Sequence, residues 1–487
     1  MNKRLSKKLI NSYLIPILFI NFLFSGSLKS QLKSTDNKAD YIIIYSNLFS
    51  KTLMPFIQWR ENQGLDVMNV DIDQIYTEFL DTLARPQAIR EFISYALNFW
   101  QKPNPRYILL VGDTEYVPSY RIESSFEDED SVSIDELFTI DLYDDDTEPD
   151  VSLGRLPVKN NNQLSNIISK TMFFEEGLIY DNWMEKFIFL ADSSDDPNYP
   201  RCFENTVMNF INNNLPEYLA PIRIDIRENS PYHGKRQELF TAINSGALFF
   251  SYYGHGEPTF WSRYHYFTIN DIDSLDENNR FFILTSAACS QNFDNPYQES
   301  IVEELIFFPN GGAVATLASS GSNNLGTSDV FLRYFYEQLF TNQKQTIGES
   351  ILEVKKFLMR IGGDTPLDHQ FRRFTLFGDP YLKIPFYLIS NIEMENHTNG
   401  YQFSLNPNYP NPFNNSTIIP YELRKSNKII LKIYDLTGRE ISVLINQWRE
   451  AGKYQVQFVP NNISSGVYLY QLTSDKSQLA RKFIYIK

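Results

Sequence analysis

Short apolar runs without polar alternation recur along this chain, and helix-patterned stretches separate them. Tyr41-Ile-Ile-Ile-Tyr45, Tyr107-Ile-Leu-Leu-Val111, Lys186–Ala191, Ala247–Tyr252, Phe281–Ser286 and Ala313–Leu317 are such runs. A strand that is apolar on both faces needs cover on both, which the crossover helices of a parallel sheet supply. Leu53–Asn62, Pro86–Trp100, Asn162–Glu176, Phe203–Ile211, Lys235–Ile243 and Ile347–Met359 carry the helix pattern. Pro86 opens its helix, where a missing N–H costs little. The alternation predicts an α/β fold of two adjoining units with largely parallel sheets, residues 28–180 and 181–385.

The pattern changes beyond residue 385. A linker over 386–404 leads into Asn406-Pro-Asn-Tyr-Pro-Asn-Pro-Phe413, whose Pro and Asn punctuate rather than build elements. Alternating strands follow, with Asp435, Gly438, Gly452 and Gly466 in the turns. This predicts a small all-β sandwich over 405–487. Charge divides at the same place. From residue 401 onward 11 Lys and Arg oppose 5 Asp and Glu, while the whole chain carries −15. The preceding α/β section is therefore strongly acidic, which argues against a nucleic-acid partner. At the other end, Lys3, Arg4, Lys7 and Lys8 precede an apolar stretch and the small residues Ser25, Gly26 and Ser27. That order predicts a secretory signal peptide over 1–27 and export of the remainder. Only Cys202 and Cys289 occur, which excludes a disulfide scaffold and a Cys-rich zinc site.

Two strand ends carry reactive groups. Tyr253-Gly-His-Gly256 follows one buried run, and Ala288-Cys289 follows another. Open α/β sheets collect their functional groups at the C-terminal ends of strands. A free thiol has a pKa of about 8.5 and needs a base beside it to act as a thiolate. His255 is the candidate base, and the candidate donor of the proton to a leaving amine. Glycines on both sides of His255 let a substrate backbone approach. The backbone N–H groups of Gly256 and Cys289 are the candidate oxyanion hole. Cys202 reads as structural.

These residues resemble the gingipain family of caspase-like cysteine peptidases: an apolar strand, His-Gly, a spacer, a second apolar strand, Ala-Cys. Tyr107-Ile-Leu-Leu-Val-Gly-Asp113, Asp150-Val-Ser-Leu-Gly-Arg-Leu-Pro157, Gly312-Ala-Val-Ala-Thr316 and Phe377-Gly-Asp-Pro380 match as well. The resemblance covers roughly residues 40–385. It implies two adjoining caspase-like units and peptide-bond hydrolysis by a His255–Cys289 dyad through an acyl-enzyme. It further implies an acid that orients the histidine, for which Asp192 is the nearest match and Asp195 the alternative. The family's selecting pocket falls on the stretches that hold Glu204 and Ser319-Ser320. No aromatic follows the Gly-Ala-Val strand here, so selectivity for basic residues is not carried over.

In the tail, Tyr409-Pro-Asn-Pro-Phe-Asn414, Ile433-Tyr-Asp-Leu-Thr-Gly-Arg-Glu440 and Ser465-Gly-Val-Tyr468 resemble the sorting domain of the type IX secretion system. That resemblance implies partners in the secretion machinery, and release from or attachment to the outer-membrane surface of a Bacteroidetes-like bacterium. The expected product is a monomeric endopeptidase acting on protein or peptide substrates. A catalytically silent surface-binding protein on the same fold is the alternative. The chemistry needs no cofactor. Glu123–Asp150 holds 13 acids and no Lys, Arg or His, which leaves two readings. One is a structural Ca²⁺ site at Asp144, Asp146 and Asp150. The other is a solvated acidic loop.

Overall fold

The computed structural model describes residues 31–386 and 403–485, apart from short internal stretches of which the longest is 363–369. The expected signal peptide, nearly all of the linker and Asp195 lie outside the described residues. The N-terminal unit contributes strands β1 (Tyr41–Tyr45), β2 (Val67–Asp71) and β3 (Tyr107–Val111). A hairpin of β4 (Tyr120–Glu123) and β5 (Ser131–Ile134) follows, then β6 (Ser152–Leu156). The second unit adds β7 (Lys186–Ala191), β8 (Ala220–Asp225) and β9 (Phe249–Tyr253). A small meander follows, made of β10 (Gly256–Glu257), β11 (Phe260–Trp261) and β12 (Phe267–Thr268). Strands β13 (Phe282–Ser286), β14 (Ala313–Ser319) and β15 (Phe374–Phe377) complete it.

Ten of these strands share one sheet in the order β2-β1-β3-β6-β15-β14-β13-β9-β7-β8. The separate sheets expected of two units are instead the two halves of this one continuous sheet. They meet where β15 pairs with β6 through the single register Phe377↔Arg155. All the pairings are parallel except β14 with β15. Alternate residues of each strand enter different cores, as a period of two requires. Tyr41, Ile43, Leu109 and Val111 join the core under α1 (Ser50–Asn62). Ile42, Ile44, Ile108 and Leu110 face the opposite core, under α2 (Ile72–Phe79) and α3 (Arg85–Phe99). In the second half α5 (Cys202–Asn213), α8 (Leu325–Phe340) and α9 (Ile347–Gly362) cover one face. On the other face lie α4 (Asn161–Glu176), α6 (Arg236–Ser245) and α7 (Ile301–Phe307).

The C-terminal region forms two antiparallel sheets around a separate core that includes Phe413, Ile433, Tyr470 and Phe483. One holds β16 (Phe403–Leu405), β17 (Thr417–Leu423) and β20 (Gly452–Phe458). The other holds β18 (Asn427–Asp435), β19 (Glu440–Arg449), β21 (Gly466–Ser474) and β22 (Ser477–Tyr485).

The acidic stretch is only partly a solvated loop. Residues 142–147 are exposed. By contrast, buried Asp135 accepts two bonds from Arg155 at 2.6 and 2.8 Å. Buried Glu136 is ion-paired with Lys355. The acids expected as Ca²⁺ ligands do not converge. Asp146 accepts the Glu148 N–H at 2.8 Å and Asp150 the Asp141 N–H at 3.1 Å. Among the described residues no group of three or more His, Cys, Asp or Glu side chains is placed to hold a metal ion.

Candidate active site

The sheet order makes β9 and β13 hydrogen-bonded neighbours, in the register Ser251↔Thr285 and Tyr252↔Ser286. The residues that follow them, His255 and Cys289, therefore emerge at the same edge. The pairing extends one step further, because the Ala287 N–H donates to the Tyr252 carbonyl at 2.8 Å. Both His255 and Cys289 are partly exposed, although the strands before them are fully buried.

Glycine is what lets the two loops close up. A Cβ built on Gly256 falls 2.7 Å from the Ala288 Cβ and 3.3 Å from the Cys289 carbonyl oxygen. A Cβ on Gly254 falls 2.4 Å from the Asp192 Cβ. Any side chain at either position forces the loops apart. Gln291, fully buried, ties the same loops together from below. Its Nε2 donates to the Glu257 carbonyl at 3.2 Å and to the Cys289 carbonyl at 3.0 Å. Its Oε1 accepts the Trp261 indole N–H at 3.2 Å. The sequence reading missed Gln291. No motif marks it, and only its position two residues after Cys289 pointed there.

Asp192, at the end of β7, meets His255 at the backbone. Its Oδ2 accepts the His255 N–H at 3.1 Å, and its Oδ1 accepts the Ser262 hydroxyl at 2.7 Å and the Ser193 N–H at 2.8 Å. Burial pushes its carboxyl above the ordinary range. The Ser262 hydroxyl, the two N–H donors and the His255 imidazole all oppose that shift. The imidazole itself packs edge-on against Phe203 at the start of α5, with centroids 5.3 Å apart. The orientation of His255 thus comes from a backbone anchor and an aromatic wall.

The other side of Cys289 is the loop after β14. The Cys289 S–H donates to the Asn323 carbonyl at 3.2 Å, and the Asn323 N–H donates to Sγ at 3.4 Å. The expected pocket residues lie inside rather than on an open wall. Ser319 is buried, with its hydroxyl on the Gly321 carbonyl at 3.0 Å. Ser320 is buried, with its hydroxyl on the Ser133 carbonyl at 2.6 Å. Glu204 is buried and ion-paired with Arg227. The serines back the nucleophile loop, and Glu204 has a counter-ion of its own.

A partly exposed cysteine and a partly exposed histidine thus follow adjoining strands of a ten-stranded α/β sheet, and these are the two side-chain types a cysteine hydrolase uses. Comparison with known proteins agrees. Residues 34–385 match the model of peptidase family C25, and the chain belongs to that family. Residues 408–487 match the secretion system C-terminal sorting domain. Lys-gingipains of Porphyromonas gingivalis are 22% identical over 289 residues, which is 58% of this chain and 16% of theirs. The chain thus matches about one-sixth of the length of those relatives. The crystal structure of the Arg-specific cysteine proteinase gingipain R superposes with a TM-score of 0.60 at 17% identity, covering 93% of this chain and 98% of that one. The sorting domain makes this a secreted or cell-surface protein of the type IX route. Among the described residues no helix is long and apolar enough to cross a membrane.

Proposed function

We propose that this protein is a cysteine endopeptidase that hydrolyses peptide bonds in exported or extracellular polypeptides. The observation that supports the reading is the pairing of β9 with β13, which His255 and Cys289 follow at adjoining strand ends. His255 takes the Cys289 proton. The thiolate attacks the scissile carbonyl carbon, forming a C–S bond and an oxyanion held by the Gly256 and Cys289 N–H groups. Collapse breaks the C–N bond, and His255 protonates the departing amine. Water, deprotonated by His255, then releases the acyl group and regenerates the thiol. Asp192 acts on this cycle by fixing the His255 backbone. No cofactor enters.

The test is a cut-site profile on a diverse peptide library. It uses the full-length protein under reducing conditions, with Cys289→Ala and His255→Ala beside the parent. Cuts present in the parent and lost in both variants support the peptidase. Cuts that survive both substitutions place the chemistry elsewhere. An uncleaved library together with a Cys289 inert to iodoacetamide points to the silent binding protein.

A further inference from the structure

Arg373 immediately precedes β15 and has no exposed surface. Its Nη1 donates to the Ser322 carbonyl at 2.8 Å and to Glu129 Oε2 at 2.6 Å, and its Nη2 donates to the Ser124 hydroxyl at 3.1 Å. Glu129 Oε1 accepts the Ser322 N–H at 3.1 Å. The two charges therefore grip two successive peptide groups. Glu129 holds the one before Ser322, and Arg373 holds the one after it. That second peptide is a single planar unit whose other end is the Asn323 N–H, and this N–H lies 3.4 Å from Cys289 Sγ. A buried cation thus sits on the oxygen of the peptide whose hydrogen faces the sulfur.

We propose that Arg373, with Glu129 as its counter-ion, is a positioning residue for the Cys289 thiolate, acting through the Ser322–Asn323 peptide. A cation on a carbonyl oxygen polarises the amide and strengthens its N–H as a donor. A donor to sulfur favours thiolate over thiol. The geometry matters because the Asn323 carbonyl also faces the sulfur, at 3.2 Å. That carbonyl suits the neutral S–H and repels the thiolate. Holding the neighbouring peptide fixed keeps an N–H available when the proton leaves. Ser124 and Glu129 come from the connection between β4 and β5 in the N-terminal unit. The nucleophile loop in the second unit is therefore set by residues from the first.

The proposal rests on Cys289 as nucleophile. Its test is the pH profile of iodoacetamide alkylation at Cys289, read by peptide mapping of the full-length protein with no substrate present. Arg373→Met is expected to move the profile toward higher pH, with labelling at pH 6 slowed about tenfold. Glu129→Gln keeps an acceptor for the Ser322 N–H and removes the counter-charge. It is expected to move the profile the opposite way, and so remains informative if Arg373→Met does not fold. Arg373→Lys restores part of the effect. Removing the exposed Arg360–Glu148 pair with Arg360→Ala leaves the profile in place. In cleavage assays the Arg373 variants lose kcat with KM little changed. Profiles that superimpose on the parent in folded variants overturn the proposal. A shifted profile in a protein that cuts no peptide keeps the positioning role and removes the peptidase reading.

Discussion

Two strand ends in this sheet look alike in sequence and behave differently. Strand β3 runs into Gly112-Asp113, and β9 runs into Gly254-His255. Each strand has five residues, all buried, and each continues through a glycine to an ionisable side chain. Asp113 has no exposed surface. Its N–H donates to the Val158 carbonyl at 3.1 Å, and its Oδ1 accepts the Thr114 N–H at 2.6 Å. Burial pushes its carboxyl above the ordinary range. His255 stays partly exposed, and the glycine that follows it lets the Cys289 loop come close. A strand end provides a position. It becomes a reactive site only where the following backbone is bare enough to admit a second loop carrying a nucleophile.

The strongest way to break this contrast is at the reacting atoms. Cys289→Ala and His255→Ala are expected to lower kcat/KM for peptide cleavage by about 10³-fold or more, whereas Asp113→Asn stays within about twofold. A comparable loss in Asp113→Asn would show that both strand ends serve the chemistry. The N-terminal half should instead yield its largest effects in stability. Buried Arg60 donates to Asp379 from Nε at 2.9 Å and to Glu175 at 2.8 and 2.9 Å. Arg60→Met strands both carboxylates and is expected to cost about 3–5 kcal/mol in chemical denaturation. Arg227→Met is expected to cost less, because Arg227 keeps about a fifth of its side chain exposed where Arg60 has none.

The glycines sharpen the comparison at a smaller scale. Gly256→Ala places a methyl group 2.7 Å from the Ala288 Cβ, an overpacking of about 1–3 kcal/mol that should appear mainly as lost cleavage. Gly112 has φ +135° and Tyr116 Cβ 2.8 Å from a built Cβ. Its alanine variant should lower the melting temperature and leave kcat/KM near the parent's. The smallest effect concerns pH. Burial raises the Glu303 carboxyl, in the first turn of α7, to about 8. Between its ordinary value and that one, the folded chain binds more protons than the unfolded chain, so this group's contribution falls as pH rises through the window. Glu303→Gln is expected to flatten the decline in melting temperature between about pH 5 and 8. An unchanged slope would place the titration on other groups.

Much of the fold was legible because the buried strands announce themselves by composition. The helices over Asn161–Glu176 and Arg85–Phe99 fall within a residue or so of their sequence bounds. Other features escaped, among them the β10–β12 meander, β4 and three further elements. Strand β5 lies inside the acidic stretch, where charge density suggested a loop; there Arg155 and Lys355 neutralise Asp135 and Glu136. Strand β15 is four residues long and antiparallel to β14, a pairing without a local signature. Helix α2 follows β2 directly, with no turn residue between them to mark where it begins.

The residues alone determined that buried strands and covering helices must form a largely parallel sheet, and that a histidine and a cysteine each follow such a strand. Those are local properties of apolar runs and turn residues. The sequence of pairings across the sheet is not local. The tertiary structure decided that β9 and β13 are neighbours, which brings His255 and Cys289 to one edge. It also decided that Gln291 bridges their loops and that Arg373 and Glu129, 244 residues apart, meet behind the nucleophile. Contacts over such separations are chosen by the packing of the whole sheet, where each buried charge must find a partner wherever the chain places one.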